Sequence, residues 1–309
     1  MSAVVNGDSP PRVHLPGADR PKRVRECRAM AQSSEPAHAT VIRARRGWAG
    51  IGLGELLGHH ELLYFLVWRD LKVRYKQTAF GVAWAVLQPL LLMGILTLFL
   101  GRMAGIRPDA VPYHIFVLAG LIPWTLFAQS LTAAGNSLVE SAALLTKVYF
   151  PRLLFPIAAA GSKVVDFAIG FVLLAVIATL AGFGPQASWL FLLPLAILAL
   201  AAAVAVGLWL GALNVRYRDF RHAIPFLIQA WFFATPIAYG AEAIPEEVRP
   251  FLALNPMTGV VEGFRWAISG GLTDRPDLSV LISAAATTAI LFGGLAYFRR
   301  VERTFADVI

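Results

Sequence analysis

Apolar residues run along most of this chain in long blocks separated by short polar connections. From Phe80 onward six blocks recur, over approximately 80–100, 114–138, 153–183, 189–213, 222–239 and 278–298. A helix needs about 20 mostly apolar residues to cross a hydrocarbon core. Each block therefore predicts a transmembrane helix, and 153–183 is long enough to tilt or to project beyond the bilayer. Glycine and proline inside the blocks are ordinary in membrane helices. Thr235 and Pro236 break the fifth helix near its outer end. Upstream, over 51–79, the pattern is different. Leu56, Leu63, Tyr64, Val67, Trp68, Leu71 and Tyr75 recur at steps of three and four, with Arg69, Lys72 and Lys76 on another side. The apolar run 62–68 is too short to span, so an amphipathic helix in the headgroup region is predicted. A core helix of a small soluble domain is the alternative. Residues 1–50 hold Pro10, Pro11, Pro16, Pro21 and Pro36 with little apolar periodicity, and read as a disordered cytoplasmic tail. They lack the continuous apolar stretch of a secretory signal, and Met30 is an alternative start.

The predicted fold class is thus all-α integral membrane: six transmembrane helices over 80–309, an N-terminal amphipathic interface helix over 51–79, and short outer re-entrant or gate helices. The gate helices fall in the connection 240–277. Pro245 is placed to begin one, with Glu246 and Glu247 in its first turn. Thr258 is placed to cap another, with Glu262 and Arg265 on its polar side and Val261, Phe264, Trp266 and Ile268 largely apolar.

Composition narrows the function. Of 309 residues, 57% are hydrophobic and 15% charged, with mean hydropathy +0.64. Soluble domains average about 45–50% apolar and about 25% charged, so an ordinary soluble enzyme is excluded. The net charge of +8 would suit nucleic acid, but six long apolar blocks exclude that partner. The cations instead follow the positive-inside rule. They crowd the segment before residue 80 and recur as Lys147 and Arg152, then Arg216, Arg218 and Arg221, on alternate connections. Both termini are therefore expected on the cytoplasmic side of the inner or plasma membrane. Cys27 is the only cysteine, which excludes an intrachain disulfide and a CxxC knuckle. The histidines form no ligand set, so no metal site is expected. No GxxxxGK[ST] phosphate loop is present, and Gly161-Ser-Lys163 lacks the upstream glycine. A membrane-embedded glycan-processing enzyme would need a carboxylate pair or DxD-type metal site near a membrane face, and the sequence offers none.

An ordered set of motifs now carries a resemblance. It comprises Arg69-Asp-Leu-Lys-Val-Arg-Tyr-Lys-Gln-Thr-Ala-Phe-Gly-Val-Ala-Trp84 with Gln88-Pro-Leu90, Lys147-Val-Tyr-Phe-Pro-Arg152, Asn214-Val-Arg-Tyr-Arg-Asp219, Thr235-Pro-Ile-Ala-Tyr239, Leu254-Asn-Pro256 and Glu302-Arg-Thr-Phe-Ala-Asp307. From about residue 60 to the end, the chain resembles the membrane subunit of type-2 ABC exporters for polysaccharides such as O-antigen, teichoic acid and cell-wall glycans. The proline-rich stretch before residue 50 departs from that pattern. The resemblance implies a homodimer of six-helix permeases paired with two copies of a separate ABC ATPase. ATP and Mg would be bound there, with no cofactor and no catalysis on this chain. A permease for a small hydrophobic solute or drug shares the architecture and remains the alternative.

Three working parts are expected. Lys147, Val148, Tyr149, Phe150, Pro151 and Arg152 form a candidate coupling segment for the ATPase, against the simpler reading that the two cations mark the headgroup boundary. Arg69, Asp70, Lys72, Arg74 and Lys76 set the interface helix on membrane lipid phosphates. Trp84, Trp124, Phe127, Trp231, Phe232, Phe233 and Tyr239 are candidates to line a path for a lipid-linked glycan, with an interfacial aromatic belt as the competing reading. Pro245, Asn255, Pro256, Glu262 and Arg265 are the candidate outer gate. Lys163 and Asp166 stand three residues apart within a span, where they are placed to pair with each other.

Overall fold

A computed structural model describes residues 58–76, 81–105, 108, 111–145, 151–217, 219–240, 245, 247, 249–273 and 275–302. The tail 1–50 and four coupling residues, Lys147, Val148, Tyr149 and Phe150, lie outside the described residues. All regular structure among the described residues is helical. In chain order it comprises α1 His60–Lys76, α2 Gly81–Leu96 with a π-helical extension Thr97–Met103, α3 Tyr113–Glu140, α4 Ala142–Leu145, α5 Leu154–Gly161 and α6 Val164–Leu180. A 3-10 turn Ala187–Phe191 then leads into α7 Leu192–Arg216, followed by α8 Phe220–Ala234, α9 Arg249–Ala253, α10 Pro256–Ser269 and α11 Asp277–Glu302.

Five stretches are long and apolar enough to cross a membrane: Ala83–Met103, Tyr113–Glu140, Leu154–Leu180, Ala187–Arg216 and Leu278–Glu302. They match five of the six predicted blocks. The block 222–239 is different. It is realised as α8, only 15 residues long, which stops at Ala234 because Thr235 turns extended ahead of Pro236. The residue before a proline is pushed out of the helical region, so the stop falls where Thr235-Pro236 predicted it.

Two small-residue seams set the packing. Along α7, Gly207 and Gly211 face α3: a Cβ on Gly207 would lie 2.5 Å from the Ala134 Cβ, and one on Gly211 3.3 Å from the Ala134 carbonyl oxygen. This is the small-xxx-small arrangement that lets membrane helices approach closely when dispersion, rather than water exclusion, draws them together. Asn214 fastens the same seam by donating from Nδ2 to Gly135 O and to Asn136 Oδ1, both at 3.1 Å. At the other seam a Cβ on Gly259 of α10 would meet Ser279 O of α11 at 2.4 Å, and the Gly259 N–H donates to Ser283 Oγ. Helix α3 is consequently buried along most of its length, from Ile115 through Leu138. By contrast α2 turns Trp84, Leu87, Leu91, Ile95 and Phe99 outward.

A separate apolar cluster joins Leu66 of α1 to Leu138, Leu154, Phe155, Leu208 and Phe298. The ends of α3, α7 and α11 and the start of α5 therefore meet beside α1. We call this the α1 end, and the opposite one, built around α10, the α10 end.

Replacing Gly207 by Val should force α3 and α7 apart and destabilise the fold by about 1–3 kcal/mol, the usual range for overpacking a tight core. Gly94 of α2 has nothing within 4 Å of where its Cβ would stand. Gly94→Ala should be neutral or slightly stabilising. Thermal midpoints of the detergent-purified variants measure the contrast.

Candidate functional site

The α1 end is organised by a break in the third span. Helix α5 closes with Ser162 Oγ donating to Ala159 O and Lys163 N–H to Ala160 O, and α6 restarts at Val164. Asp166 sits in the first turn of α6, where the helix dipole favours an anion. It is only 8% exposed. Its partners come from α1: Arg74 Nη2 lies 2.9 Å from Asp166 Oδ2, and Tyr75 donates its hydroxyl to Asp166 Oδ1. Burial, reinforced by Asp166, pushes the Tyr75 phenol up to about 12, so it stays a donor well above neutral pH. The expected Lys163–Asp166 pair is therefore corrected. Arg74 takes the carboxylate because α1 packs beside α5 and brings a guanidinium to the break.

The remaining interface residues divide. Arg69 forks onto Asp70 with hydrogen bonds of 3.0 and 2.9 Å. Lys72 stands 5.6 Å above the Trp68 ring, and Lys76 is exposed in the last turn of α1. Of the coupling segment, Pro151 and Arg152 are described. Arg152 Nη1 donates to Glu302 O, tying the end of the coupling segment to the last described turn of α11. Between α1, the end of α3 and α5 lies a cleft of about 400 Å³ lined by Arg69, Asp70, Ser137, Glu140, Ser162 and Lys163, among others.

At the α10 end the chain from Thr235 to Ala238 is buried yet not helical. Three side chains from α3 and from α10 with its cap answer it. Tyr113 donates to Ala238 O at 2.7 Å, and Arg265 Nη2 donates to Ile237 O at 2.7 Å. Asn255 Nδ2 donates to Thr235 Oγ1 at 2.9 Å. Arg265 also donates from Nε to Phe116 O at 3.2 Å, and its guanidinium lies 3.5 Å from the centre of the Phe116 ring. Burial pushes Arg265 down to about 9, with Glu262 opposing the shift. Glu262 itself accepts from Ser279 Oγ at 2.6 Å.

Two expectations for the gate change here. Arg265 is buried and does not lie on an outer polar face. The cap of α10 is Asn255, whose Oδ1 accepts from Met257 N–H with Pro256 at the first helical position; Thr258 lies inside the helix and donates to Leu252 O. Asn255 Oδ1 also accepts from Trp231 Nε1 at 2.9 Å, which ties the cap to α8. Pro245 is exposed, ahead of the short α9, which begins at Arg249.

The aromatic candidates separate into two groups. Trp124 and Phe127 are in the protein core, 4% and 0% exposed, and so do not line a path through this subunit. They pack against Phe232 and Trp231 with ring centroids 5.7 and 5.1 Å apart, coupling α3 to α8. On an apolar helix buried nearly all round, an aromatic finds other side chains before it finds substrate. Trp84 and Phe233 are exposed, 57% and 67%, and Tyr239 is half-buried with its hydroxyl donated to Phe233 O. Among the described residues no cluster could hold a metal ion.

Comparison with known proteins follows the same boundaries. The ABC-2 type transporter family matches residues 61–269. An O-antigen export system permease protein RfbA from Myxococcus xanthus is 30% identical over 260 residues, covering 82% of this chain and 98% of that protein. One of the same name from Klebsiella pneumoniae is 28% identical over 250 residues, covering 81% and 95%. The polysialic acid transport protein KpsM of Escherichia coli is 25% identical over 239 residues, covering 76% and 91%.

Removing the Asp166 carboxylate should loosen α1. Asp166→Leu leaves Arg74 without its anion and the Tyr75 hydroxyl without an acceptor, a loss of about 2–3 kcal/mol. Asp166→Asn keeps an acceptor for Tyr75 and should lose roughly half as much. Thermal midpoints, with protease sensitivity of α1 followed alongside, measure the difference.

Proposed function

The chain belongs to the ABC-2 type transporter family and is a membrane transport subunit of it, and we propose that the cargo it moves outward is a lipid-linked polysaccharide or oligosaccharide. The observation that carries this reading is that O-antigen export permeases match over 95% and 98% of their own length. Five candidate spans make the protein a multi-pass membrane protein. In our reading α8 and the unwound residues after it form a fifth of six crossings. Fifteen helical residues give about 22 Å against a hydrocarbon core of about 30 Å, and the segment Thr235–Ala238 supplies further depth. Both termini then lie in the cytoplasm, and α9 and α10 dip into the outer leaflet as a gate.

The chain works as a homodimer with two copies of a separate ATPase, which binds ATP and Mg. The segment 147–152 receives the ATPase motion, and α1 carries it along the lipid surface through Lys72 and Lys76, while Arg69 pairs with Asp70 and Arg74 ties α1 to Asp166. Trp84, Trp231, Phe233 and Tyr239 are the path residues we retain, because each keeps exposed or half-exposed ring surface. A sugar presents flat C–H faces that slide over aromatic rings without a fixed grip.

Deleting the gene should abolish long-chain glycan at the cell surface while the glycan accumulates inside, and supplying the intact chain should restore it. If surface glycan persists and sensitivity to a hydrophobic drug changes instead, the small-solute permease is the right reading. The double variant Tyr149→Ala, Phe150→Ala should insert normally and bind the ATPase more weakly. Export per ATP hydrolysed should fall about tenfold or more, the equivalent of about 1.4 kcal/mol of coupling.

A further inference from the structure

The cleft at the α1 end holds charges that the described contacts do not use up. Arg69 is committed to Asp70, and Arg74 to Asp166. That leaves one cation and one anion on the walls, Lys163 from the break in the third span and Glu140 from the last turn of α3. Among the described residues neither has an ion-pair partner within 4 Å. Both line the one cleft, Lys163 from the break between α5 and α6 and Glu140 from the end of α3. Ser137 and Ser162 spend their hydroxyl protons on Ala134 O and Ala159 O, so the walls offer hydroxyl oxygens chiefly as acceptors. The floor is small and apolar, made by Ala133, Ala158 and Ala159. Val73 of the α1 wall is 67% exposed, and Phe65, outside the lining on the same helix, is 64% exposed.

A ligand that fits must bring one negative and one positive group, must donate hydrogen bonds from the positive one, and must tolerate an apolar rim. We propose that this cleft binds the headgroup of a zwitterionic phospholipid with a primary amine, phosphatidylethanolamine, its phosphate on Lys163 and its ammonium on Glu140, with the acyl chains passing out over Val73 and Phe65. The chemistry separates it from its competitors. A phosphatidylglycerol headgroup has no cation and would leave Glu140 facing a second anion. A phosphatidylcholine headgroup carries charge of the right sign but no N–H to donate, and so forfeits the charge-assisted hydrogen bond that distinguishes an ammonium. A polyprenyl pyrophosphate brings excess negative charge to a cleft already balanced. The site is independent of the glycan reading: it needs only that α1 lie at a membrane face.

The test uses the full-length protein purified in detergent, delipidated, and offered palmitoyl-oleoyl phosphatidylethanolamine, phosphatidylglycerol or phosphatidylcholine at equal concentration, with bound lipid counted by native mass spectrometry. Wild type should retain phosphatidylethanolamine about tenfold over either competitor, as one charge-assisted hydrogen bond allows. Glu140→Gln should bring phosphatidylethanolamine and phosphatidylglycerol to within about twofold of each other, and Lys163→Gln should reduce retention of both. Equal retention of the three lipids by wild type would overturn the proposal. So would an unchanged preference in Glu140→Gln, or displacement of phosphatidylethanolamine by an equimolar polyprenyl pyrophosphate, which would reassign the cleft to the glycan carrier. Glu140 is exposed, so its variant should fold. The wild-type lipid series decides the matter even where Lys163→Gln does not fold.

Discussion

A backbone carbonyl in hydrocarbon has no water to accept from, so any interruption of a membrane helix must be repaired by the protein itself. Among the described residues two helix breaks show this, and both draw on side chains from other elements. At Ser162-Lys163 the repair is partly local, through serine and a tight turn, but the exposed first turn of α6 is answered by Arg74 and Tyr75 from α1. From Thr235 to Ala238 it is mixed: Ile237 N–H donates to Thr235 O, while Tyr113 and Arg265 donate to Ala238 O and Ile237 O from other elements and Asn255 donates to Thr235 Oγ1. Much of the polar chemistry of the protein is therefore concentrated at these two breaks. Remove the need to satisfy a broken helix, and the buried Arg265 at the α10 end has no reason to exist.

The same constraint explains the uneven burial. Helix α3 contributes to both repairs, with Tyr113 and the Phe116 carbonyl at one end and Ser130, whose Oγ donates to Ala160 O beside the break in the third span, nearer the other. Across its 28 residues it must be held rigidly, and the seam of Gly207 and Gly211 with the Asn214 clasp does so. Helix α2 joins neither break's hydrogen bonds among the described residues and presents much of its surface outward. An outward apolar face of that kind suits lipid or, under the homodimer reading proposed above, the second copy.

Long apolar blocks were readable from sequence because membrane crossing is a property of mean composition over a window. Five of the six appear as helices of spanning length, and the proline rule located the end of α8 at Thr235-Pro236. What could not be read is partner choice. Lys163 and Asp166 have ideal local spacing, yet Asp166 is taken by residues 91 and 92 positions away along the chain, Tyr75 and Arg74. No local pattern encodes that. Nor could the aromatics be sorted. On α3 periodicity is nearly absent because the helix is buried on all sides, so Trp124 and Phe127 look the same in sequence whether they face core, lipid or sugar. Some signals were legible and went unread. Asn255 directly before Pro256 is a strong helix start, and Gly207-Leu-Trp-Leu-Gly211 is a small-xxx-small seam that announces a close helix contact.

Transport requires that work delivered at one membrane face alter the other. The physical warrant for such coupling is an element with two arrangements that both ends can bias, not mere continuity of packing. In the proposed cycle α3 is the fixed member. It is about 42 Å long at 1.5 Å per residue, and its close seam with α7 resists deformation. The element with freedom is α8. It has few buried residues of its own, ends in an unwound hinge, and is joined to the α10 end by hydrogen bonds through Asn255 and Arg265. Those contacts exchange partners more readily than interdigitated apolar side chains slide. A tilt of α8 relative to α3 would open the aromatic contacts of Trp231 and Phe232 and draw Thr235–Ala238 away from Tyr113, widening the outer side without disturbing the seam. Motion of that kind places the hinge in a stretch where Ile237 O and Ala238 O are held by side chains from other elements. There, partner exchange leaves each polar group satisfied in turn.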